Sequence, residues 1–145
     1  MNYTMTVVLA FASTSLFGAE THIKMKDLPE AVQKTVREQT KTAQLRGLAK
    51  EVENGKTFYE AETRVNGKSR DILIDPTGAV VEVEEAVALE SIPEAARKGL
   101  QGKAGSGKIV SIESVTKGSV VSYEAVVLKN GKKSEIAVSA DGGAR

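Results

Sequence analysis

The chain has 145 residues, with 20 Lys and Arg against 19 Asp and Glu and a formal net charge of +1. That balance offers no basic footprint for nucleic acid, the lack of Cys excludes disulfides and thiolate sites, and the single His, His22, leaves no histidine pair to share a metal. At this length the chain is one domain or two very small ones, and it can still bury a real core.

The first charged side chain is Glu20. Residues 1–19, MNYTMTVVLAFASTSLFGA, carry an apolar run from Met5 to Ala12 and end in small residues, as a secretory signal does. The run is too short for a membrane span, which takes about 20 apolar residues. Cleavage near Ala19 or Glu20 would deliver a periplasmic or secreted protein. The segment has no Lys or Arg ahead of the run, and Leu16 and Phe17 are bulky for a cleavage site. A buried N-terminal strand or helix, or a mis-assigned start, therefore stays open as an alternative.

One offset organises the remainder. It carries LPEA at Leu28 onto IPEA at Ile92, YEA at Tyr59 onto YEA at Tyr123, and NGK at Asn66 onto NGK at Asn130. In each case the shift is 64 residues without a gap. The expectation is an internal duplication, with one repeat over 20–86 and a second over 87–145.

Each repeat opens with a helix signal. Asp27-Leu28-Pro29-Glu30 and Ser91-Ile92-Pro93-Glu94 both fit a capping box, with proline in the tolerated first turn. Leu28, Ala31, Val32, Thr35 and Val36 then fall on one face at helical spacing, as do Ile92, Ala95, Ala96, Gly99 and Leu100. Strands follow. Asn54-Gly55 and Asn66-Gly67 are hairpin turns that need positive φ at both residues. Asp75-Pro76-Thr77-Gly78 reads as a type I turn. Between the turns Tyr59, Ala61, Thr63 and Val65 face one way, and Phe58, Glu60, Glu62 and Arg64 the other. By that parity Tyr59 and Tyr123 belong to the helix-covered face. The fold class expected is α+β: two tandem helix-plus-antiparallel-meander repeats, each helix on one face of a sheet of three or four strands.

The stretch GKAGSGKIV, Gly102 to Val110, contains G-x-x-x-x-G-K, the core of a phosphate loop. Such a loop follows a strand and opens a helix, so that backbone N–H groups meet the anion. Here it follows a helix and precedes a strand. Ile109 also stands where a Ser or Thr should hold the metal, so the reading is a glycine linker. His22, in the alternating segment THIKMK, is more plausible as an exposed side chain than as a ligand. Glu82, Glu84, Glu85 and Glu90 form an acidic cluster, but the spacing of Glu82 and Glu84 puts them on a solvated strand face. No catalytic constellation, cofactor site or metal site is expected.

The helix LPEAVQKTV, the hairpin KEVENGKTFYEAE and the closing turn and strand DILIDPTGAVVEVE resemble the PepSY-like family. The tandem arrangement is similar to its β-lactamase-inhibitor-like relatives. The likeness spans residues 27–142, and in the second half the DPTG turn has become SADG. The resemblance implies a secreted or periplasmic protein that binds or restrains another protein, an envelope peptidase among the partners, without catalysis. A second class of function stays open: a small-molecule or cation-binding protein using a cleft between the repeats.

The candidate contact surface comes from where the halves differ. Glu62 and Arg64 in the first half correspond to Val126 and Leu128 in the second. Val120 or Val121 would lie nearby. The second half also ends before a full fourth strand. An exposed apolar patch and an open edge both suit a protein partner. The candidate partner-binding residues are Val126, Leu128, Lys133 and Glu135, with Lys132 and Lys133 able to blunt the edge against self-association. Packing of two sheets on each other, or coverage of that edge by the THIKMK segment, would instead make these positions internal.

Overall fold

A computed structural model describes residues 20–145; the expected signal segment, 1–19, lies outside the described residues. The ten elements follow in chain order: β1 (Thr21–His22), α1 (Glu30–Gln39), β2 (Gln44–Glu53), β3 (Lys56–Val65), β4 (Lys68–Ile74), β5 (Val80–Ala86), α2 (Glu94–Ala104), β6 (Lys108–Lys117), β7 (Val120–Lys129) and β8 (Lys132–Ser139). Short 3-10 turns at Met25–Asp27 and Leu89–Ser91 lead into the helices.

The eight strands form a single sheet in sequence order, and every neighbouring pair is antiparallel. This corrects the expected division into two tandem helix-plus-meander repeats. The join lies at β5 and β6, where Val83 pairs with Thr116, Glu84 with Val115, Glu85 with Ser114 and Ala86 with Glu113. A strand's backbone groups must pair or stay solvated. The outer edge of β5 meets that demand with β6, so the strands run without a break from β1 to β8. The junction therefore holds hydrogen-bonded strands where the alternative reading had placed a cleft between the repeats.

The turn chemistry explains the hairpins. Asn54, Asn66 and Asn130 have φ of 50, 52 and 50°, and the glycine after each is also at positive φ. Asn and Gly tolerate that region and give the turn twist that the strands need. At 75–78 the Gly78 N–H donates to the Asp75 carbonyl at 2.9 Å, while the Asp75 side chain accepts from the N–H groups of Thr77 and Ala79.

Both helices lie on one face of the sheet. Val32 and Val36 from α1 are buried with Leu28, Leu48, Ala61, Ile72 and Ile74. Ala96 and Leu100 from α2 are buried with Ile92, Ile112, Ala125 and Val138. Tyr59 and Tyr123 pack against these two clusters, as their parity requires. Ile136, on the last strand of the sheet, is half-buried. The capping-box expectation is also corrected. Pro29 and Pro93 occupy the N-cap positions with extended backbone, and neither helix has a side-chain cap hydrogen bond. The residue before a proline is driven out of the helical region, so Asp27 and Ser91 end in the preceding 3-10 turns and sit too early to cap.

Candidate binding face

Residues directly opposite across an antiparallel ladder point to the same face. The register therefore maps the face that the helices leave open. One row runs Gly47, Glu62, Asp71, Glu84, Val115, Ser122 and Ser139. Beside it run Ala49, Glu60, Leu73 and Glu82 on one flank, and Ala86, Glu113, Glu124 and Ala137 on the other. Like charges thus stand directly opposite at Glu62–Asp71, Asp71–Glu84 and Glu113–Glu124, an arrangement that destabilises a ladder when both members are ionised.

The expectation of a solvated acidic face is corrected in part: Glu51 and Glu82 are buried, and Glu60, Glu62, Asp71, Glu84, Glu113 and Glu124 are half-buried between neighbouring side chains. Glu51 and Glu82 are each only 7 % exposed. Burial pushes the Glu60 carboxyl up to about 9, helped by the charges of Glu51 and Asp71. Burial pushes Glu84 up to about 8, with Glu82, Glu113, Glu124 and Asp71 adding to it. Asp71 rises to about 6, again chiefly by burial, although the Thr63 N–H donates to it at 3.2 Å. Glu51, Glu113 and Glu124 are raised in the same direction, with burial the leading cause for each. Cations answer part of this charge. Lys117 pairs with Glu82 at 2.8 Å, and Arg145 reaches Glu124 at 3.4 Å and also contacts Ser122.

His22 pairs with Ala49 and so lies on this face. Its ligand atoms and those of Glu20 and Glu62 fall within 4.8 Å of one another, as do those of Glu20, Glu51 and Glu60. The sequence reading weighed His22 for want of a second histidine. The missed signal was that β1 would set it beside the Glu62 carboxylate of β3.

The four candidate contact residues come together. Val126 lies opposite Glu135 and Leu128 opposite Lys133, all on the open face of β7 and β8. Leu128 is 36 % exposed. Val120, 63 % exposed, shares their face but sits at the far end of β7, so it does not extend the patch. Val121 points to the helix side, opposite Thr116. The THIKMK segment places β1 along β2, at the opposite margin of the sheet from β8. The glycine linker runs from α2 into β6, as its polarity required. A surface hollow lined by Glu30, Ala31, Lys34, Arg37 and Glu38 follows one side of α1, on the helix layer.

No family model matches the sequence, and no curated protein matches it. Solved structures do match in fold. A protein from Bacteroides eggerthii described as periplasmic aligns with a TM-score of 0.66 at 19 % identity, over 80 % of this chain and 84 % of its own. A DUF2874 family protein from Bacteroides ovatus gives 0.62 at 17 %, over 79 % and 82 %. A BLIP-like protein from Bacteroides fragilis gives 0.58 at 15 %, over 80 % and 82 %. The fold is thus of the BLIP-like kind. Among the described residues no helix is long and apolar enough to cross a membrane.

Proposed function

We propose that this is a non-catalytic protein-binding module of the periplasm, and that the open face of its sheet is the contact surface. The observation that carries the reading is the asymmetry of the fold. Both helices cover one face, and among the described residues no helix covers the other, where Val126 and Leu128 stand among charged residues at one margin and Arg145 reaches Ser122 and Glu124. A hydrogen-bonded sheet face positions side chains without the ordering cost of a loop, which favours binding. Apolar residues at Val126 and Leu128 suit the dry centre of a contact, and the carboxylate rows suit its polar surround. The periplasmic setting is supported by the expected signal segment and by the description of the Bacteroides eggerthii neighbour. Kinship with the PepSY-like family belongs to the same proposal, as does a modulating role toward an envelope peptidase.

The test is Val126→Glu combined with Leu128→Arg, which installs charges like those at Glu62 and Arg64. Cross-linking and mass spectrometry in the native envelope fraction should show partner cross-links to the wild-type face and their loss in the variant, at unchanged melting temperature. Cross-links that persist at full strength, or that map to the helices, would overturn the reading.

A further inference from the structure

We infer that Glu20, His22 and Glu62 bind a divalent transition-metal cation of the zinc class at the β1 margin of the sheet, with the Glu51 and Glu60 carboxylates behind Glu20. This goes beyond the proposed partner contact and does not depend on it, since Val126 and Leu128 lie at the opposite margin of the sheet.

The register brings the donors together. Thr21 pairs with Lys50 and His22 with Ala49, so Glu20, one step before β1, falls opposite Glu51. On the other side of β2, Ala49 pairs with Glu60 and Gly47 with Glu62. The two β2 positions between the imidazole and the β3 carboxylates thus carry only a methyl group and a hydrogen. Long side chains from β1 and β3 meet across that floor, and Ala49 beneath them is 0 % exposed. Gly47 keeps the floor low. A Cβ there would stand 2.9 Å from the Glu62 carboxyl, so this carboxylate lies directly over the β2 backbone, on the way to β1. The register shifts between Leu45 and Gly47. Such a bulge re-aims a side chain, and a strand glycine marks a close approach.

The donor set selects the ion. The ligand atoms of Glu20, His22 and Glu62 lie within 4.8 Å of one another. Ligands at about 2.0–2.2 Å from one tetrahedral zinc stand roughly 3.3–3.6 Å apart. Side-chain rotation of Glu20 and His22, both exposed, closes that difference. An imidazole nitrogen suits zinc and its transition-metal neighbours, whereas calcium and magnesium take oxygen ligands. A second observation asks for a cation at the same place. Glu20, Glu51 and Glu60 converge to within the same 4.8 Å, and Glu51 is 7 % exposed. Its hydrogen-bond partner is another carboxyl, that of Glu60, and the charged groups acting most strongly on these two are all acidic. Among the described residues no Lys or Arg forms an ion pair with any of the five side chains. A buried carboxylate is normally paired with a cation or holds a metal, and Glu51 has no side-chain cation for that purpose. A bound cation would also tie the two-residue strand β1 to β3 across β2.

The test is isothermal titration of Zn²⁺ into the purified, untagged, chelator-treated protein, with Ca²⁺ titrated alongside and thermal melts as a fold control. His22 is the chain's only histidine, so its ring signals in NMR report on this site alone. Wild type should take up one Zn²⁺ with a saturable shift of those signals, and should bind Ca²⁺ at least about tenfold more weakly. His22→Ala should raise the Zn²⁺ dissociation constant by about tenfold or more. Gly47→Ala keeps every donor but displaces the Glu62 carboxylate, and it should raise the constant by about tenfold at near the wild-type melting temperature. Glu20→Gln, on an exposed side chain, gives the same reading should either of those variants melt early. No saturable Zn²⁺ binding, binding that leaves the His22 ring signals unmoved, Ca²⁺ held as tightly as Zn²⁺, or a dissociation constant unchanged in these variants would each overturn the inference.

Discussion

Raising the pH from about 5.5 to about 7.5 should destabilise the fold, and the carboxylate rows of the open face set the size of the effect. Glu60 and Glu84 hold their protons in the folded state to about pH 9 and 8, against an ordinary value of 4.5 in the unfolded chain. Across that window the folded state binds more protons than the unfolded one, so stability falls as pH rises. It is complete below the unfolded value and is lost as the folded values are approached. One proton retained throughout corresponds to about 1.4 kcal/mol per pH unit; Glu60 and Glu84 together give twice that as their own ceiling, and Asp71, raised to about 6, adds in the same direction at the lower end of the window. On an open face the side chains turn toward water as they ionise, which relieves part of the burial that raises them. We therefore expect about half the ceiling, or about 2–3 kcal/mol over two pH units, a large part of the 5–15 kcal/mol typical of a domain. Glu84 is faced by Asp71 from β4, by Glu113 and Glu124 from β6 and β7, and by Glu82 on its own strand, whose charge is answered by Lys117. Glu38, Asp75 and Asp141 have lowered values and act in the opposite sense, but only as pH falls below their ordinary range, outside this window. The assay is urea denaturation at steps between the two pH values. Glu84→Gln keeps the shape without the proton, so it should flatten the dependence and stabilise the protein at the upper end. A midpoint that stayed constant or rose with pH in wild type would refute the reasoning.

Three other outcomes follow from the packing. Leu100→Ala should cost about 2–5 kcal/mol by leaving a cavity under α2, whereas Ile136→Ala, half-buried on the last strand, should cost clearly less in the same melts. Gly142→Ala should destabilise by more than about 1 kcal/mol, since Gly142 has φ of 84° and an added Cβ would collide with the Ala95 carbonyl; retention of the wild-type melting temperature would contradict this turn's packing on α2. Lys108→Ala should leave ATP titrations flat, as in wild type, because α2 turns its carbonyl end toward 105–107; saturable binding lost in the variant would contradict that.

The residues that were legible in the sequence are those whose own conformational demands settle the matter. Asn-Gly pairs need positive φ, and they form the hairpins at 54, 66 and 130. Alternation fixes facing within one strand, so Tyr59 and Ala61 reach the core, and Val126 and Leu128 the open face. Alternation does not say which strand lies alongside. The pattern Val81-Glu82-Val83-Glu84 reads the same for an edge strand as for a central one, and its partner, β6, lies beyond an intervening helix. That one unread pairing accounts for both principal misses. It turned two expected bodies into a single sheet. It also brought Lys117 onto Glu82 and set Val115 opposite Glu84, so Glu82 is buried and Glu84 half-buried where a rim strand would have left them hydrated. A lone four-stranded meander would have left β5 as a rim with its glutamates hydrated, as the sequence reading supposed. Disrupting the pairing at Val115 while leaving the helices intact should thus return Glu84 toward ordinary carboxylate behaviour. A Val115→Gly variant whose urea midpoint still fell with pH as steeply as wild type would show that burial across β5 and β6 is not the cause.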